Sequence, residues 1–93
     1  MPKDVHLVKD FNGDYMKLGK SAQLAMNAHR RLQKLNHQKA VKANRDNDIK
    51  KQDHYSIKSN YHYKCMQLVS QYKRKLTKQE KKQAFEYAEW LKK

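Results

Sequence analysis

The stretch DHYSIKSNYHYKCMQLVSQYKRKL, residues 53–76, decides the fold class, because its apolar residues Ile57, Tyr61, Cys65, Leu68, Tyr72 and Leu76 recur at intervals of three or four. Such intervals keep side chains on one face of an α-helix and would scatter them over both faces of a strand. Val69 lies beside this seam. Tyr55, His62, Tyr63, Met66 and Lys73 point to a different side, so that a further helix covers them or they stand exposed for use.

Working towards the carboxy terminus, Thr77-Lys78-Gln79-Glu80 has the form of a capping box: the threonine hydroxyl accepts one orphan amide and the glutamate returns to the other. A last helix therefore starts there, with Ala84, Tyr87, Ala88 and Leu91 as a short stripe extended by Phe85, and Trp90 to one side. It is expected to pack across the seam of the preceding helix. Working the other way, Asn44-Arg45-Asp46-Asn47-Asp48 is the strongest interior break, since asparagine and aspartate favour turns and caps over helix interiors. Asp48 or Asp53 is the candidate cap of the helix that follows; without that break, the first two helices would run on as one rod.

The segment before the break reads as a long helix beginning at Asn12-Gly13-Asp14, with Asn12 or Asp14 as its cap and, for Asn12, a staple between Phe11 and Met16. At about 100° per residue, Leu18, Ala22, Leu24, Ala25, Ala28, Leu32, Leu35 and Ala43 share one side as a packing seam. Lys39 sits inside that stripe and weakens it after Leu35. Residues 1–13 are open between an arm, a short strand and a helical turn. The expected architecture is all-α: a long antiparallel helical hairpin closed by a C-terminal helix, with residues 1–13 as an arm or short element and 14–93 as a single helical domain.

Composition sets the scale. The chain has 93 residues, of which 38% are hydrophobic and 33% charged, so the core is thin and a homodimer is one route to further burial. The lone Cys65 and the absence of a signal-like apolar run are consistent with a cytoplasmic protein. Twenty-two lysines and arginines face nine acids, a formal net charge of +13. Residues 19–52 hold nine bases against two acids and residues 53–76 five against one, so the excess belongs to the body of the fold and not to a basic tail. Such an excess opposes compaction and points to a polyanionic partner.

The candidate binding residues follow from the helix geometry. Lys20, Arg30, Arg31, Lys34, His37 and Arg45 fall opposite the expected seam, where several cations meet successive phosphates. Arg30 and Arg31 are the more specific contacts, because guanidinium offers a planar fork. Tyr55 and Tyr63, interleaved with bases, are candidates for stacking on unpaired bases. Trp90, with them, is a candidate anchor for a protein partner.

The chemistry of other classes is missing from the pattern. His62 and Cys65 supply two of the four ligands of a tetrahedral metal site, and Gly13 and Gly19 stand alone where a phosphate loop needs a cluster. No nucleophile elbow is present, so no enzyme, metal or cofactor is expected. The alanine-rich stripes lack the bulky band that buries in lipid, which argues against a membrane partner. The expected function is nucleic-acid binding, DNA slightly favoured over RNA, as a regulator or accessory factor. The alternative is an inhibitor or adaptor whose cationic helices cover an acidic protein surface.

Overall fold

Two local signals set the helix boundaries. At residues 46–48, Asn47 takes a left-handed φ of 56°, which asparagine tolerates better than most side chains, and the Asp48 carboxylate accepts from the Lys51 amide at 3.1 Å. This turn separates α1 (Lys20–Arg45) from α2 (Ile49–Tyr72). At the other end, Lys73 closes α2 in a left-handed conformation, its amide donating to the Val69 carbonyl at 2.7 Å. The Thr77–Glu80 capping box then opens α3 (Lys78–Trp90), with the Glu80 amide donating to Thr77 Oγ1 at 3.2 Å and the Thr77 amide to Glu80 Oε1 at 2.8 Å. Thr77→Ala is expected to lower stability by about 1 kcal/mol, read as a lower thermal midpoint with unchanged helix content at low temperature.

The computed structural model describes the backbone of residues 5–9 and 15–92 and the side chains of residues 18–92. Before the helices, β1 (Val5–Lys9) and β2 (Tyr15–Gly19) pair antiparallel, Val5 opposite Gly19 and Lys9 opposite Tyr15. The first helix therefore begins at Lys20 and not at residue 14. Cross-strand pairing satisfies the backbone of residues 15–19 as a helical turn would have done, and Gly19 enters the helix extended, without a side-chain cap. The Asn12–Asp14 turn, its caps and Phe11 lie outside the described residues. Met16 sits in a strand.

The helices form an antiparallel hairpin, α1 against α2, with α3 packed on α2 and not on α1. With α2 in the middle the molecule is a layer, 51 × 25 × 17 Å. The core gathers Leu18, Ala22, Met26, Cys65, Met66, Val69, Leu76 and Ala84. Met66 is thus covered by α1, while Leu76, beyond the end of α2, enters the core from the loop. Of the expected seam, Tyr72 is exposed.

The packing face of α1 differs from the expected stripe. Ala22, Met26, His29, Asn36, Ala40 and Ala43 are buried, spaced by threes and fours with the half-buried Gln33 completing the ladder, whereas Leu24, Leu32 and Leu35 are exposed, Leu24 by 60%. The helix is turned so that polar groups enter the seam because each finds a partner there. Gln33 Nε2 donates to Ser59 Oγ at 3.2 Å, Asn36 Nδ2 to the Leu32 carbonyl at 2.8 Å, and the Nδ1 atoms of His29 and His62 lie 3.0 Å apart. On α3, Ala84 and Ala88 are buried; Tyr87 and Leu91, expected in its stripe, are exposed.

Candidate nucleic-acid interface

No carboxylate occurs between Asp14 and Asp46, so the whole of α1 is free of acids while carrying Lys20, Arg30, Arg31, Lys34, Lys39, Lys42 and Arg45. Its 26 residues span about 39 Å at about 1.5 Å per residue. Among the described elements α1 contacts α2 and, more lightly, β1 and β2, and no other helix packs on the half of α1 turned away from α2.

The six cationic positions expected on this helix are distributed unevenly on it. Lys20 is its first residue and Arg45 its last. Arg30, Arg31 and Lys34 come together around a shallow depression with Asn27, Leu35 and Gln38. Arg31, Lys34, His37 and Arg45 are exposed, and Arg30 is half-buried at the margin of the α2 seam. The rotation of α1 moves Arg30 and His37 towards that margin and leaves Arg31 and Lys34 facing outward. The ion pairs Lys51–Asp48, Arg74–Glu80 and Lys92–Asp53 lie elsewhere and use none of Arg31, Lys34 and Arg45.

Two further basic clusters flank this helix. At the hairpin turn, Lys39, Lys42, Lys51 and Tyr55 surround a depression with Asp46, and the Lys39 ammonium stands 5.4 Å from the Tyr55 ring centroid. At the other end, Lys73, Arg74 and Lys75 meet Gly19, Ser21 and Ala22 at the start of α1. Arg74 is committed to a bidentate pair with Glu80, both contacts 2.8 Å, which together with the Thr77 amide holds the Glu80 carboxyl down at about 2. The Lys73-Arg74-Lys75 run is visible in the sequence; its meeting with α1 depends on the antiparallel topology.

The aromatic candidates are not brought together. Tyr55 turns towards α1 and Lys39, and Tyr63 stands exposed on α2. Trp90, 65% exposed, pairs with Tyr87 on α3 at 6.0 Å between centroids, and Lys64 covers Tyr87 at 4.6 Å. Tyr87 lies beside Trp90 by its spacing of three on α3, whereas the contact of Lys64 with Tyr87 depends on how α2 and α3 pack.

Inside the seam, burial pushes the Cys65 thiol up to about 11 and the Tyr61 phenol up to about 12, so neither ionises near neutrality. Burial, then the neighbouring His29 and Lys58, pushes His62 down to about 4, and burial with Lys81 also lowers His29. Among the described residues no group of three or more histidines, cysteines or acids is placed to hold a metal ion, and no helix is long and apolar enough to cross a membrane. Compared with protein-family models, curated proteins and solved structures, the chain gives no match.

Proposed function

We propose that this chain binds nucleic acid through the outward flank of α1, with DNA favoured over RNA, as a small regulator or accessory factor. The observation that carries the reading is a long helix without a single acid whose Arg31, Lys34 and Arg45 reach solvent and form no ion pair with a described carboxylate. Cations not ion-paired with a described carboxylate remain available to a polyphosphate, which releases its own condensed ions on meeting them. The lysine clusters at the two ends of α1 extend the same field.

The test is fluorescence anisotropy with a labelled duplex of about 20 base pairs, titrated between about 50 and about 200 mM salt. The logarithm of affinity is expected to fall against the logarithm of salt with a slope of about −3 to −5, and Lys34→Ala to reduce the magnitude of that slope by about one. Absence of binding at the lowest salt, or binding indifferent to salt, would refute the reading.

One observation favours a second reading. Tyr87, Trp90 and Leu91 form an exposed aromatic and apolar group on α3, a composition suited to anchoring a protein partner with an acidic surface. Capture of a protein that survives nuclease and high salt, and is lost in Trp90→Ala, would support it over nucleic-acid binding.

A further inference from the structure

Five side chains besides Arg30 define how a polyanion meets α1. Asn27, Arg31, Lys34, Gln38 and Arg45 lie on the half of the helix turned away from α2, and all are exposed. Asn27, Arg31, Lys34 and Gln38 follow one another by steps of four, three and four, and line one depression. Asn27 and Gln38 have no hydrogen-bond partner among the described residues, so their amides keep both donor and acceptor capacity.

This combination differs from a sequence-blind basic surface. An amide can donate to a phosphate oxygen but, unlike a lysine, it can also make two hydrogen bonds to an adenine edge, as arginine can to guanine. The segment from Asn27 to Gln38 spans about 17 Å, or about five base pairs at about 3.4 Å each. Arg45, farther along, and Lys20, at the start, lie where a straight helix leaves a curving groove and meets the backbone.

The form of the nucleic acid also follows. No Phe, Tyr or Trp occurs in α1, so guanidinium and imidazole planes are the flat groups this face offers to unpaired bases, and it lacks the aromatic rings on which successive bases stack. The major groove of A-form RNA is too deep and narrow to admit a helix, whereas that of B-form DNA is about 12 Å wide and accepts one. Among the described elements only α2, β1 and β2 contact α1, and Asn27, Arg31, Lys34 and Gln38 stay exposed, which leaves this stretch of the helix open to a groove.

Resting on the nucleic-acid reading above, we infer that α1 lies in the major groove of duplex DNA, with Asn27, Arg31 and Gln38 reading base edges and Lys20, Lys34 and Arg45 holding phosphates. The protein is therefore a sequence-selective duplex binder.

The experiment is selection from a library of random duplexes with the full chain, followed by anisotropy on the selected duplex, a scrambled duplex, its single strand and the matching duplex RNA. A common motif is expected to emerge and to bind at least about tenfold tighter than the scrambled duplex. Asn27→Ala and Gln38→Ala should each reduce that preference by about tenfold at one base position and leave the salt slope unchanged. Both residues are exposed, and circular dichroism checks that the helix persists. Independently of any variant, a major-groove ligand such as methyl green should displace the wild-type protein and a minor-groove ligand such as netropsin should not. Duplex binding without an enriched motif, preference for single strand or duplex RNA, or displacement by the minor-groove ligand alone overturns the inference while leaving polyanion binding standing. Failure to bind any nucleic acid removes both.

Discussion

Reversing two charges, Arg31→Glu with Lys34→Glu, is expected to weaken duplex binding by about three orders of magnitude at about 0.1 M salt while leaving the fold intact. The two side chains are three residues apart on the outward half of α1, both exposed, and neither is ion-paired with a described carboxylate. Their removal therefore costs no salt bridge among the described residues. A solvated cation about 4 Å from a phosphate contributes about 1 kcal/mol, and converting it to a carboxylate replaces that attraction by a repulsion of similar size. Two such conversions approach about 4 kcal/mol, and about 1.4 kcal/mol corresponds to one decade in affinity. The matched control is Lys78→Glu with Lys82→Glu on α3, the same change in net charge on a helix that does not pack against α1. Screening over about 10 Å should limit its effect to about tenfold or less. Equal losses for the two pairs would mean that total charge, and not the face of α1, governs binding; retention within about threefold by the first pair would remove the site.

The parts of this fold written in short-range chemistry are legible from the chain alone. The Thr77–Glu80 box and the Asp48 cap depend on hydrogen bonds between residues three positions apart, and both stand where their residue types place them. The rotation of α1 is different in kind. A hydrophobicity pattern turns Leu24, Leu32 and Leu35 inward; the protein leaves them exposed and turns His29 and Gln33 into the seam, because these are matched by His62 and Ser59, partners 33 and 26 residues away. Neither half of such a pair announces itself. The rotation matters for the site, since it decides which cations face outward: Arg31 and Lys34 do, while Arg30, equally basic in the sequence, is drawn to the seam margin. The strand at Tyr15–Gly19 escaped for a related reason, since its identity depends on pairing with Val5–Lys9 and not on its own residues. Charge excess, by contrast, survives any rotation, which is why the candidate helix was legible and the contact set within it was not.

The same seam makes stability depend on pH. His29 and His62 face each other across α1 and α2 at 3.0 Å between their Nδ1 atoms, one donating and the other accepting. A first proton would be held in a half-buried site facing Lys58 from α2 and Lys81 from α3, with the edge of Tyr61 completing the wall. A second proton would also remove the accepting lone pair and place two like charges in contact. Both folded-state affinities for protons therefore lie below the ordinary 6.5, that of His62 at about 4, through burial first and the nearby cations second. Between those values the unfolded chain binds protons that the folded chain refuses, so the stabilisation is present in full above about pH 6.5 and is lost as pH falls towards 4. Unscreened, the His62 displacement alone corresponds to ~3 kcal/mol; partial exposure of the ring reduces this, and about 2 kcal/mol for the pair is expected. In a domain of this size that is a fall of about 10 °C in thermal midpoint between about pH 7 and about pH 4.5. His62→Gln keeps a donor towards His29 and abolishes titration at that position, so its midpoint should fall by less than half as much over the same interval. An undiminished fall in the variant would assign the acid sensitivity to other groups.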